Sequence, residues 1–230
     1  YIYLQYGYEG GLYSLFSTVG VAATAFLMIF YPAIAKKINR KPLMNWMVVI
    51  SFVGYALMIL SRVIPSAGFL LLTIGYMLSN FGQYSYYLVM MISIINTVEY
   101  NEYKTGERNE AIIASARPLI TKMSSAFIVV MTTASYMMFG VTNYTNQISE
   151  LESACAAGQI TDAEKLEAIG KVIQGVEPAQ TWGLLILMVV ISGAMMFTSN
   201  CLYQKKYKLD EAEYERICRE LDAGRIHAAE

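Results

Sequence analysis

The chain has 230 residues, 56% hydrophobic and 15% charged, with a mean hydropathy of +0.40. Soluble globular domains carry about 25% charge, so this composition reads as a membrane protein. A net charge of −1 leaves no basic field for nucleic acid. Three widely spaced cysteines (Cys155, Cys201, Cys218) without a CxxC pair argue against a disulfide framework and a zinc site. The one histidine, His227 near the end, leaves no basis for haem or histidine-based catalysis.

The opening residues, YIYLQYGYEGG, carry neither an initiator Met nor a signal peptide. They read as the end of a helix, residues 1–6, in a chain that is a piece of a longer protein. Apolar runs near the ~20 residues that span a bilayer follow at about 12–35, 43–63, 67–97, 111–140 and 181–203. The expected fold is therefore an all-α integral membrane bundle of about five complete transmembrane helices plus the stub of a sixth. The third run is longer than a ~30 Å hydrocarbon core needs, so it must tilt or project into water.

Lysine and arginine set the orientation. Lys36, Lys37, Arg40 and Lys41 follow the first run, Lys104 and Arg108 the third, and Lys205, Lys206 and Lys208 the last. These clusters fall on one side of a five-crossing map, which the positive-inside rule makes cytoplasmic, together with the C-terminus. The polar loop 143–178 falls on the other side. Its Thr161-Asp-Ala-Glu164 is a capping box, and Gly158 and Gly175 are helix stops, so two short extracytoplasmic helices are expected there. Residues 1–208 form the membrane unit and 209–230 an amphipathic cytoplasmic tail helix. Asp210 and Glu213 cap that helix, Gly224 stops it, and Tyr214, Ile217, Cys218 and Leu221 make its apolar stripe.

The third run holds a polar stripe at helical spacing: Asn80, Gln83, Tyr84 and Tyr87. Uncompensated polar groups are costly in lipid, so this face looks into the bundle or into an aqueous cavity. Amides beside aromatic rings suit sugar recognition, and helix–helix hydrogen bonding with interfacial tyrosines is the alternative. Gly75 and Ser79 read as a helix-packing contact.

The fourth run contains Arg117, Pro118, Thr121 and Lys122. Counted from Asn109, Arg117 lies roughly 10 Å and Lys122 roughly 20 Å into the helix. Arg117 is within reach of the surface by snorkelling. Lys122 is near mid-membrane, where an unpaired ammonium is expensive and wants a carboxylate. No other apolar run supplies one. The two cations point roughly 140° apart on an ideal helix, with Pro118 bending the helix between them. Nucleophile–base pairs and phosphate-cradling loops are missing from the pattern, so an enzyme is not expected.

The stretch Glu99-Tyr-Asn-Glu102-Tyr-Lys104-Thr-Gly-Glu-Arg108, with Glu110 and then Lys122-Met-Ser-Ser-Ala-Phe127, resembles the glycoside–pentoside–hexuronide:cation symporters of the major facilitator superfamily. Weaker likeness covers Phe30-Tyr31-Pro32 before the basic loop, and Tyr207–Glu211. Asn101 departs from the family's usual glycine. The resemblance implies that the chain is the C-terminal half of such a carrier, its missing N-terminal six-helix half carrying most of the cation site. It implies cation-coupled uptake of a sugar or glycoside by alternating access, driven by Na+ or H+, in a bacterial inner (plasma) membrane. No cofactor is expected besides the coupling ion. Lys122 is then the cation-coupling residue. Tyr87 and Arg117 face the sugar, with Gln83, Tyr84, Asn80 and Thr121 beside them. Glu99, Glu102, Lys104, Arg108 and Glu110 form a gating loop. A non-transporting membrane sensor or scaffold on the same fold, and an uncoupled facilitator or exporter, are the competing readings.

Overall fold

The computed structural model describes residues 1–8, 10–35 and 37–229, so Lys36 lies outside the described residues, as does the side chain of His227. Ten α-helices occur in it: α1 (Ile2–Tyr6), α2 (Gly10–Ala35), α3 (Arg40–Val63), α4 (Gly68–Ile95), α5 (Thr97–Thr105), α6 (Glu110–Met138), α7 (Thr142–Ala156), α8 (Asp162–Gln174), α9 (Pro178–Lys206) and α10 (Glu211–Ala229). A 3-10 turn at Pro65–Ala67 joins α3 to α4, and no strand occurs among the described residues. The five long helices run 24 to 29 residues. At ~1.5 Å per residue each is long enough to cross a bilayer.

Length alone does not make them equally lipophilic. Among the described residues α3, α6 and α9 are long and apolar enough to be membrane spans. Helix α4 is not, because Asn80, Gln83, Tyr84, Tyr86 and Tyr87 crowd its middle. Such a helix is stable in a membrane only where other helices or water take up its polar groups.

Helices α3 and α4 pack closely. A Cβ on Gly54 would meet Gly75 O and Ser79 N at 2.6 Å each, and one on Gly75 would meet Gly54 O at 2.6 Å. Gly82 sits as tightly against Ser51 and the Met47 carbonyl. Small residues on both helices thus bring the backbones together, and dispersion between them replaces a hydrophobic drive that lipid does not supply. The Gly75–Ser79 contact read from sequence is one part of this longer seam.

Helix α9 is tied to this pair by side-chain hydrogen bonds. Toward α3, Asn200 Nδ2 donates to Asn45 Oδ1 (2.8 Å) and Gln204 Nε2 to Lys41 O (2.9 Å). Toward α4, the Tyr86 and Ser199 hydroxyls lie 2.9 Å apart, and those of Ser93 and Tyr203 2.8 Å apart. Between these ties Leu43, Met44, Met47, Val89 and Met196 form a buried cluster. A second and a third cluster gather toward the opposite end, around Tyr55 and Leu72 and around Val141, Ile148 and Ile169.

Helix α6 stands apart. No part of its apolar window is buried, and Leu119, Met123 and Val129 are all more than 60% exposed. An open cleft of about 560 Å³ separates it from α9, lined by residues that include Ile120, Phe127 and Met131 on one side and Met188 and Ile191 on the other.

Two helices occupy the 143–178 segment. Thr161 Oγ1 accepts from Glu164 N, and the Glu164 carboxylate accepts from Thr161 N at 2.8 Å, a complete capping box. Gly158 takes a left-handed φ of +73°, as a helix stop does, whereas Gly175 ends α8 at an ordinary φ of −79°. Tyr8 donates to Glu152 at 2.6 Å and joins the start of the chain to α7. That bond, with burial behind it, pushes the Tyr8 phenol up to about 12.

Two expectations need correction. Gly224 does not stop the tail helix, which runs through it to Ala229 with nothing within 4 Å of the missing side chain. One glycine in an exposed helix costs only about 1 kcal/mol, and no left-handed turn follows to use it. The 99–110 connector is not a loop throughout. Residues 97–105 are helical, separated from α4 by Asn96 alone.

Candidate functional site

The residues singled out in the sequence fall into three groups. The first is the outward face of α4. Tyr84 and Tyr87 are each 43% exposed, with no hydrogen-bond partner among the described residues. The amides beside them are partly engaged. Asn80 Nδ2 donates to Tyr76 O of its own helix (3.0 Å), and Gln83 Nε2 donates to Tyr55 OH on α3 (3.0 Å). The face opposite the glycine seam therefore presents two free phenols flanked by amides that each keep an unused carbonyl oxygen.

Sequence reasoning missed Tyr76, although it extends this stripe by one turn. Its ring stacks on Phe16 of α2 with centroids 4.2 Å apart. Together with Tyr3, Tyr13 and Tyr136 these rings line a pocket of about 310 Å³ between α1, α2, α3, α4, α6 and α9. Flat apolar walls with hydroxyl edges are the surfaces on which sugar rings pack.

The second group lies on α6. Arg117 and Lys122 are exposed, and neither forms an ion pair among the described residues. The Thr121 hydroxyl is turned back to Arg117 O at 2.9 Å, which leaves the oxygen as an acceptor. Pro118 sits inside α6, which stays one helix from Glu110 to Met138. At ~100° per residue, Lys122 lies roughly 170° from the centre of the α6 face that lines the α9 cleft, and Arg117 roughly 50° from it. Lys122 thus points away from the helix nearest to α6.

The third group is the turn between α5 and α6. Arg108 gathers three carboxylates: Glu102 at 3.0 Å, Glu110 at 3.2 Å and Glu99 at 3.8 Å. The hydrogen bonds it donates to the Glu110 and Glu102 carboxylates hold its guanidinium above its ordinary range. Gly106, at a φ of +74°, makes the reversal, with its N–H on Glu102 O (2.8 Å). Asn101, the departure from the glycine usual in the resembled family, sits within α5 and donates to Glu107 O at 3.0 Å, closing the same turn. Lys104 lies 5.8 Å from the Tyr100 ring rather than in an ion pair. The structure thus brings Glu99, Glu102, Arg108 and Glu110 together and leaves Lys104 outside the set.

A helical bundle with lipid-compatible spans, one polar-centred helix and unpaired cations on another among the described residues is the arrangement of an integral membrane protein. The family model for MFS/sugar transport proteins matches residues 1–157, and the chain belongs to that family. It is 24% identical to the lactose permease of Lactobacillus delbrueckii subsp. bulgaricus, over 94% of this chain and 30% of that protein. It is 25% identical to the raffinose carrier protein of Pediococcus pentosaceus, over 91% of this chain and 28% of that one. A lactose permease of Leuconostoc lactis is 34% identical over 42% of this chain and 14% of its own length. The chain spans less than a third of the length of these relatives. No solved structure matches it.

Proposed function

We propose that this chain is part of a carrier that takes up a sugar or glycoside by alternating access, coupled to Na+ or H+. Its transport-family membership and the names of its relatives, a lactose permease and a raffinose carrier, support the sugar. The observation that carries the coupling is Lys122, an ammonium on an apolar helix, directed away from α9 and without a carboxylate among the described residues. Such a charge is tolerated where a partner or an aqueous path compensates it. In this reading the compensating acid, and the rest of the cation site, lie in the part of the carrier beyond this chain. Tyr84, Tyr87 and Arg117 then face the sugar from this side, with Asn80, Gln83 and Thr121 supplying acceptors. The Glu99–Glu110 set exchanges ion pairs between the states of the cycle, at the cytoplasmic surface of the membrane.

The test is uptake of labelled lactose, raffinose and melibiose by proteoliposomes holding the complete carrier, with and without a Na+ or H+ gradient. Lys122→Gln is expected to abolish gradient-driven accumulation while leaving sugar exchange measurable. Accumulation undiminished in the variant would overturn the assignment of coupling to Lys122. Uptake by the unsubstituted carrier that no gradient accelerates would identify an uncoupled facilitator instead.

A further inference from the structure

At the lysine-rich end of the bundle, where α3 begins and α4 and α9 end, an open pocket of about 680 Å³ lies between α5 and the start of α10. Its walls come from three places in the chain: Tyr100, Tyr103 and Lys104 of α5, Lys208 and Asp210 of the α9–α10 link, and Glu213, Arg216 and Arg219 of α10. Four cations and two carboxylates therefore meet there.

The two carboxylates are already engaged. Asp210 Oδ1 accepts from Glu213 N at 2.9 Å as the cap of α10, and Glu213 accepts from Arg216 at 2.5 Å. Lys104, Lys208 and Arg219 form no ion pair among the described residues; Arg219 donates to Glu215 O at 3.2 Å. Glu220 stands beside the pocket, 3.9 Å from Arg216, so three carboxylates face four cations and a positive excess remains on Lys104, Lys208 and Arg219. Tyr103, whose phenol a hydrogen bond to Glu220 pushes up, stays a neutral hydroxyl at the edge.

Position decides what this charge meets. Lys208 lies two residues beyond the end of α9, a helix apolar enough to span a membrane, and α5 directly continues α4 past Asn96. The pocket therefore opens where a span leaves the hydrocarbon, at headgroup level. Lys and Arg offer the donors that phosphate oxygens take, and tyrosines are at home in the same layer.

We propose that this pocket binds the phosphate of an anionic phospholipid headgroup, with Lys104, Lys208 and Arg219 as the contacts and the first turn of α10 as one wall. A bound headgroup ties the tail helix to the membrane surface beside α5. The site is separate from the sugar-facing residues and does not depend on their assignment.

The test uses the detergent-purified protein, read by native mass spectrometry and by thermal melting. It is titrated with short-chain phosphatidylglycerol, with short-chain phosphatidylcholine and with inorganic phosphate. Phosphatidylglycerol is expected to be retained and to raise the melting temperature, with salt weakening the effect, while phosphatidylcholine does neither. The K104Q/K208Q pair is expected to weaken retention roughly 25-fold, since each cation near an anionic surface contributes about fivefold. K104R/K208R should restore it, and Lys171→Gln at the far end should leave it unchanged. Equal retention of both lipids, or retention that K104Q/K208Q does not alter, overturns the proposal. Protection by inorganic phosphate equal to that by phosphatidylglycerol also overturns it and makes the pocket a soluble-phosphate site. The single variants K104Q and K208Q, each expected to weaken retention about fivefold, carry the same test if the double variant does not fold, and retention unchanged in both overturns the proposal.

Discussion

Arg40 and Glu211 are 171 residues apart in sequence and share one carboxylate oxygen. Glu211 Oε1 accepts from the Arg40 backbone N–H at 2.6 Å and from its Nε at 2.9 Å. With the Asn96 amide turned so that its oxygen faces the guanidinium, the orientation that satisfies both amide atoms, Arg40 Nη1 donates to it at 2.6 Å; the guanidinium also lies 5.9 Å from the Tyr214 ring. One arginine at the start of α3 thus joins the end of α4 to the start of α10. The Arg40 side chain is only 13% exposed, so this pair is more than a solvated surface contact.

Replacing Glu211 with Gln should free the tail helix. Burial alone would raise the Glu211 carboxyl, but hydrogen bonds from Arg40 and from its own N–H outweigh it and leave it below its ordinary 4.5. A depressed carboxylate contributes stability that is fully present above its unfolded value and fades as pH falls through the folded one. The tail should therefore stay docked at neutral pH and loosen only below about pH 4.5. Amide exchange in α10 measures this. Glu211→Gln should give the loosened pattern at pH 7, with a stability loss of about 1–2 kcal/mol.

The α3–α4 seam has no room for a side chain at Gly54, where backbone atoms of α4 stand 2.6 Å from a Cβ. Gly54→Ala should force the helices apart and cost about 2–4 kcal/mol, because backbone rather than a flexible side-chain tip must move. Thermal melting in detergent checks it. A variant that melts with the unsubstituted protein shows that the two helices separate at little cost.

Tyr86 and Tyr87 are neighbours with opposite surroundings, and substitution should separate them. Tyr86 is buried and bonded to Ser199, whereas Tyr87 is exposed on the polar face. In the complete carrier Tyr87→Ala should raise the sugar KM about 3- to 10-fold with little change in melting. Tyr86→Phe should cost the worth of a membrane hydrogen bond, about 0.6 kcal/mol, seen as a lower melting temperature, and leave KM alone. A KM unmoved by Tyr87→Ala would take that residue out of the sugar site.

Gly106 holds the α5–α6 reversal at a φ of +74°, a conformation that a β-branched residue adopts only under strain. Gly106→Val should open the turn at a cost of about 1–3 kcal/mol and pull Arg108 from its carboxylates. Slower transport with an unchanged sugar affinity is the expected signature, and a normal turnover would argue against a gating part for this turn.

Much of this was legible in one dimension because a bilayer constrains segments one at a time. Apolar length marked where the long helices would lie, and Thr161-Asp-Ala-Glu164 spelled its capping box, since both depend on neighbours within a few residues. Gly75 and Ser79 announced a packing face for the same reason. The helical nature of 97–105 was not legible, because its charges suggest a loop while its geometry is set by continuity with α4 and by packing beneath α10. Gly224 failed as a stop because a glycine ends a helix only where the following chain turns left-handed. Tyr76 was overlooked because an aromatic on a membrane helix is ordinary until Phe16 is seen stacked on it.

By itself the sequence determined that the protein is an all-helical membrane chain, where its charges cluster, and that Lys122 has no acid within its own apolar runs. Those are properties of composition and period, and solvent exposes them directly. Only the tertiary structure decided which polar groups are spent and which remain. It assigned Gln83 to Tyr55, Glu211 to Arg40 and three carboxylates to Arg108. Among the described residues it left Tyr84 and Tyr87 without a hydrogen bond, and Lys104 and Lys208 without an ion pair. Hydrogen-bond partners many residues apart are chosen by packing, and packing is not a local property of a chain.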